Sequence, residues 1–167
     1  GRYAEGEALL RQMLAVRLKT LAPDSAWAIT VRNNLAQAIQ LQGRIVEATS
    51  LLRENVDYLR AAGQRDTASY FISCNNLASL LEQAGDYASS IELFDETLKR
   101  AAQHESDPHM ATYRQNLGRS LMLAGKLDAA WPYLSRDIEG GADSLDLNIE
   151  RGRRLVHLAE WMRRSGR

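Results

Sequence analysis

The sequence predicts an all-α chain: a right-handed α-solenoid of about eight helices stacked as antiparallel pairs. Three observations predict it. Glycine returns on a fixed beat, at Gly1, Gly43, Gly85, Gly125 and Gly166, separated by 42, 42, 40 and 41 residues. The residues around each glycine return with it. Between the glycines, apolar residues keep helical spacing and not the alternation of a strand. A period in this range marks a stack of repeated helix pairs, and such stacks present surfaces more often than they perform chemistry.

The repeat can be followed element by element. Eight positions before the last four glycines stand Leu35, Leu77, Leu117 and Leu158, each followed by a small residue: Ala36, Ala78, Gly118 and Ala159. Four before the glycine the residue is apolar: Ile39, Leu81, Leu121 and Met162. Five after the glycine it is small again, at Gly6, Ala48, Ser90 and Ala130. Eight and nine after it come Leu9-Leu10, Leu51-Leu52, Leu93-Phe94 and Tyr133-Leu134.

The first helix is expected from Arg2 to about Leu21. After Gly43, the stretch Arg44 to Ala62 holds Ile45, Ala48, Leu51, Leu52, Val56 and Leu59 on one stripe. Gly63 to Asp66 supplies turn residues, and Thr67 to Ala84 forms the next helix. The recurrent glycine then ends that helix as a left-handed cap. Connections this short make neighbouring helices antiparallel. Ala36 with Ala48, and Ala78 with Ser90, belong where two helices cross, because bulk there would push the axes apart. The last unit departs from the pattern, with Pro132 inside its second helix, where a missing backbone donor should bend or delay it.

The bulk properties set outer limits. A chain of 167 residues with 21 basic and 21 acidic side chains holds one domain, residues 1–167, and is not a general polyanion binder. No apolar run approaches the length of a membrane span. Cys74 is the one cysteine, which excludes an internal disulfide and fits a reducing, cytoplasmic compartment. The sequence opens on Gly1 at a repeat turn and closes on Gly166-Arg167 where another helix should begin. It is therefore expected to be a piece of a longer array, with uncapped ends open to self-association.

Asn33-Asn34-Leu35-Ala36, Asn75-Asn76-Leu77-Ala78 and Gln115-Asn116-Leu117-Gly118 share one motif, and Gly1-Arg2-Tyr3-Ala4-Glu5-Gly6-Glu7-Ala8-Leu9-Leu10, Leu21-Ala22-Pro23-Asp24 and Gly85-Asp86-Tyr87 complete it. This arrangement resembles the tetratricopeptide repeat in its longer form of about 42 residues, seen in kinesin light chains and many bacterial proteins. The last unit matches less well, since Val156-His157 replaces the asparagine pair. The Tyr113 to Ser120 stretch also resembles bacterial versions, some attached behind serine/threonine kinase domains.

The resemblance implies that the first helix of each pair lines a concave groove, where asparagines bond the backbone of an extended peptide. An amide both donates and accepts, so it can satisfy a peptide group without selecting a side chain. The implied groove residues are Asn33, Asn34, Gln37, Asn75, Asn76, Ser79, Gln115, Asn116, Arg119, Arg163 and Arg164, with Gln40 and Glu82 at the edge. The alternative is that the second asparagine ties neighbouring helices together through their backbones.

Other chemistry finds no constellation. His104 and His109 flank Glu105, Ser106, Asp107 and Pro108, a loop in which Asp107 caps a helix and Pro108 opens it, without the close ligand spacing of a metal site. His157 stands alone at a groove position. Cys74 has no nearby base in sequence and reads as a core thiol. No glycine loop cradles phosphate, so neither enzymatic activity nor a cofactor is expected. From residue 148 on, Arg151, Arg153, Arg154, Arg163, Arg164 and Arg167 outnumber Glu150 and Glu160. That excess suits an acidic segment of a protein partner, a nucleic-acid backbone, or a plain solvated face. The function expected is non-catalytic peptide or protein binding within a larger, bacterial, regulatory protein. A passive spacer, a module behind a kinase domain, and nucleic-acid contact through the last helix are the alternatives.

Overall fold

The computed structural model describes residues 2–103, 109–135, 156 and 159–166. Seven helices follow in order: α1 (Arg2–Arg17), α2 (Ala26–Gln40), α3 (Ile45–Ala61), α4 (Ala68–Gln83), α5 (Tyr87–Ala101), α6 (Met110–Leu123) and α7 (Leu127–Ser135). Residues 159–165 are helical as well. Among the described residues there is no strand, and the chain is an all-α solenoid. The loop expected around Asp107 and Pro108, with His104, lies outside the described residues. So do Arg151, Arg153, Arg154 and His157.

The recurrent glycine does what its spacing implies. Gly85 sits at φ +82°, a conformation that costs other residues strain, and the Asp86 N–H reaches back to the Leu81 carbonyl at 2.9 Å. Asp86 then starts the next helix, its Oδ1 accepting from the Ser89 N–H at 3.1 Å. Gly125 repeats the turn, with Lys126 N–H on the Leu121 carbonyl at 2.9 Å. The first helices of two pairs open on hydroxyl caps, Ser25 for α2 and Thr67 for α4. One boundary differs from expectation. α1 stops at Arg17 and not near Leu21, because the Thr20 and Leu21 N–H groups and the Thr20 hydroxyl all turn onto the Arg17 carbonyl ahead of Pro23. α7 is helical on both sides of Pro132.

Small residues set the crossings. Ala36, Ala48 and Ala78 are fully buried. The hydroxyl of buried Ser90 donates to the Ala78 carbonyl at 2.9 Å and lies 2.8 Å from that of Ser120, which joins α4, α5 and α6. At Gly118 a Cβ would come within 2.8 Å of the Leu134 side chain and 2.9 Å of Tyr133 Cβ. Only glycine admits α7 that close. Around these crossings Ile29, Leu35, Ile39, Leu52, Val56, Phe94 and Leu117 form one continuous core, each stabilising by roughly 1.5–3 kcal/mol on burial.

Helix order in space defines two faces. The backbones of α2 and α4, and of α4 and α6, approach one another closely, whereas α1, α3 and α5 meet only through long side chains such as Arg11 with Glu47 and Arg60 with Glu96. The first helices of the pairs therefore lie closer together, along an inner side, and the second helices lie farther apart, along an outer side. A stack of this kind holds its inner residues in register across repeats.

Candidate functional site

The inner face is built where α2, α4 and α6 lie side by side. A cleft of about 280 Å³ opens between α2 and α4. Its rim carries Asn33, Asn34 and Gln37 from α2 and Asn76 and Ser79 from α4. Ile29, Ala36 and Leu52 underlie it, and Ile72 projects from α4 with about a third of its surface exposed. Five of the eleven sequence-expected groove residues are thus brought to one cleft. Among the described residues its lining contains no Asp, Glu, Lys or Arg.

The amides divide into used and unused. Asn33 Nδ2 donates to Ser73 Oγ at 3.2 Å, and Gln40 Nε2 donates to Gln83 Oε1 at 3.1 Å, so each ties α2 to α4. The Ser79 hydroxyl donates to the Asn75 carbonyl of its own helix at 2.9 Å. By contrast, the side chains of Asn34, Gln37 and Asn76 have no hydrogen-bond partner among the described residues. All three keep surface accessible to solvent. They are the amides free to bond something else.

The next interval is closed by the protein itself. Asn116 Nδ2 donates to Asn75 Oδ1 at 2.8 Å, and Arg119 pairs with Glu82 at 3.0 Å. Gln115 is buried and gives the groove little surface. Both arginines of the last described helix hold the same carboxylate: Arg163 and Arg164 each reach Glu160 Oε1 at 2.6 Å. Their hydrogen bonds, Arg163's foremost, keep the Glu160 carboxyl down at about 2. The arginines that the sequence places late in the groove therefore carry acidic partners from their own or a neighbouring helix.

Several residues of the cleft were not singled out by sequence. Thr30 and Ile72 line it one helical turn before Asn34 and Asn76 and share a repeat offset, which is the signal that would have found them. Ser73 completes the tie to Asn33 and carries no pattern a single sequence reveals, whereas Glu82, expected at the groove edge, instead pairs with Arg119. The outer helices hold their own polar layer. Arg32, buried on α2, donates to the Pro23 carbonyl at 2.6 Å and lies 4.6 Å from the Tyr58 ring, while Asn55 Nδ2 donates to the Ile29 carbonyl at 3.0 Å. Cys74 is fully buried, and burial pushes its thiol up to about 12. Among the described residues no group of three His, Cys, Asp or Glu side chains gathers to hold a metal ion. Among them, too, no helix is long and apolar enough to cross a membrane.

An α-solenoid of helix pairs with a polar inner face is the architecture of a protein-interaction scaffold. Residues 72–109 match the family model of the tetratricopeptide repeat. The chain's fold is that of kinesin light chain repeats. The crystal structure of "Podosopora anserina putative kinesin light chain nearly identical TPR-like repeats" superposes with a TM-score of 0.83 at 21% identity, covering 99% of this chain and 80% of that one. BtubC (BKLC) from P. vanneervenii superposes with a TM-score of 0.81 at 20% identity, covering 99% of this chain and 67% of that one. A search of curated proteins by sequence found no match.

Proposed function

We propose that this chain is a non-catalytic scaffold that binds an extended segment of a partner protein along the inner face of α2, α4 and α6. The observation that carries the reading is the set of unpartnered amides, Asn34, Gln37 and Asn76, around one cleft on that face. Free amides on a rigid frame can bond a peptide backbone without first breaking a contact of their own. Asn33, Asn75, Asn116 and Arg119 support that frame by tying inner helices together and Gln115 by packing beneath the surface, while Ser79 lines the rim and bonds its own helix. Cys74, the single cysteine of the sequence and buried, fits a protein of a reducing compartment.

The test is to pan a displayed random-peptide library on the purified chain and measure enriched peptides by fluorescence anisotropy. Asn34→Ala with Asn76→Ala should weaken binding at least tenfold. Val46→Ser, a change on the exposed part of α3, should leave it unaltered. Peptides that bind the double variant as well as the parent would refute the groove, and a library yielding no binder would favour a spacer.

A further inference from the structure

Among the described residues the lining of the α2/α4 cleft carries no charge, although a quarter of the whole sequence is charged. The nearest arginine of α2, Arg32, is buried and turned onto Pro23, Asn55 and Tyr58. The nearest carboxylate on α4, Glu82, is committed to Arg119 in the following interval. An acidic or basic side chain entering the cleft would give up water and meet no counter-charge, which is unfavourable. An aliphatic one would meet Ile72, about a third exposed above the buried Ile29 and Leu52.

The two intervals of the inner face are also unequal. Between α4 and α6 the rungs Asn75–Asn116 and Glu82–Arg119 occupy the polar groups that a ligand would need. Between α2 and α4 the rungs Asn33–Ser73 and Gln40–Gln83 leave the amides of Asn34, Gln37 and Asn76 unengaged. A ligand therefore gains hydrogen bonds in the first interval and must break existing ones in the second.

We propose that the α2/α4 cleft is a discrete, charge-excluding subsite: it takes a short, uncharged, extended segment of a partner protein with one aliphatic side chain seated against Ile72. The proposal rests on the peptide-binding reading above and specifies where on the groove binding is decided and what it selects. Asn34, Gln37 and Asn76 bond the backbone of the segment, and the floor below them sets the side chain. Asn75, Asn116 and Arg119 serve as fixed spacers and not as contacts. One aliphatic side chain transferred from water to such a floor is worth roughly tenfold or more in affinity.

The probes are four fluorescent heptapeptide pools, acetylated and amidated, random in Ser, Thr, Asn, Gln, Gly and Ala except for a fixed central Leu, Gly, Asp or Lys. Binding to the full chain is followed by anisotropy and by the side-chain amide NMR signals of Asn34, Gln37 and Asn76. The Leu pool should shift those signals and leave the Asn116 amide in place. It should also bind at least tenfold more tightly than the Asp or Lys pool. Ile72→Ser, a change at a partly exposed position, should remove the advantage of the Leu pool over the Gly pool. Equal binding of the charged pools, or Ile72→Ser binding the Leu pool unchanged, would overturn the subsite while sparing the groove. Failure of every pool to move any of these amides would overturn the peptide-binding reading itself.

Discussion

Asn116 of α6 donates its Nδ2 hydrogen to Oδ1 of Asn75 on α4 at 2.8 Å, across 41 residues of sequence. Both amides belong to the recurring motif. Asn34 and Asn76 occupy related positions and make no side-chain hydrogen bond among the described residues, so one motif meets different surroundings in successive repeats. A rung of this type ties the inner helices together and uses up amide groups that would otherwise face outward. Its energetic weight is measurable. Asn75→Ala and Asn116→Ala should each lower stability in urea. The double variant should lose less than the sum, with a coupling of about 0.5–1.5 kcal/mol. Strict additivity would mean that the rung contributes nothing to the fold.

Gly118 makes a steric prediction. Gly118→Ala places a methyl within 2.8 Å of Leu134 Cδ2 and 2.9 Å of Tyr133 Cβ, so α6 and α7 must separate. Such overpacking costs about 1–3 kcal/mol. The same change at Gly85 has open space around it and a φ of +82°, so its cost is purely conformational. Denaturant midpoints for the two variants should both fall. Only Gly118→Ala should also perturb the tryptophan signal of Trp131 and Trp161, whose rings lie 4.3 Å apart beside that crossing.

The period, the helix pairs and the glycine caps were legible in the sequence because backbone requirements repeat with the fold. Gly43, Gly85 and Gly125 each need positive φ at the same step, so the residue type itself reports the geometry. Small residues at Ala36, Ala48, Ala78, Ser90 and Gly118 were legible for a similar reason: an axis crossing excludes bulk. The groove was legible only as a list. Which amide is free depends on what the neighbouring helix offers, and Ser73 and Gln83 follow no repeat rule. The same holds for the arginines. Arg119 and Arg163 look cationic in sequence, but Glu82 sits one helix away in space and Glu160 one turn back along the chain.

Ala48→Leu tests the crossing between α2 and α3. Ala48 has no exposed surface, so the larger side chain has to displace neighbours, at about 1–3 kcal/mol or more. Lys99→Ala is the comparison: Lys99 is exposed and pairs with Asp95 within its own helix at 2.6 Å. Thermal melting should show a clear loss for the first and an unchanged midpoint for the second, since exposed pairs contribute little. The reverse order would contradict the packing argument.

Cys74 should be silent in the folded chain. Its thiol is buried and pushed up to about 12, so thiolate is scarce at neutral pH and reagent access is closed. A disulfide reagent should label it only as fast as the chain opens, and rapidly in urea. Fast labelling under native conditions would show that α4 and α5 part readily.

The N-terminal clasp gives the fold a defined acid dependence. Glu7 on α1 accepts from Gln42 at 2.7 Å, from Arg11 at 2.9 Å and from Arg44 at 2.7 Å. These bonds, Gln42's foremost, hold its carboxyl at about 2 against an ordinary value of 4.5. A depressed folded pKa means that the folded chain prefers the ionised form more than the unfolded chain does. The stabilisation is therefore complete above about pH 4.5 and is lost as the pH falls toward 2. Glu7→Gln should accordingly be less stable than the parent at neutral pH, and the two stability curves should converge between pH 4.5 and 2. Some slope should remain in the variant, because Glu160, Glu96 and Asp86 are lowered in the same direction. Curves that stay parallel through that window would show that the Glu7 contacts do not couple protonation to folding.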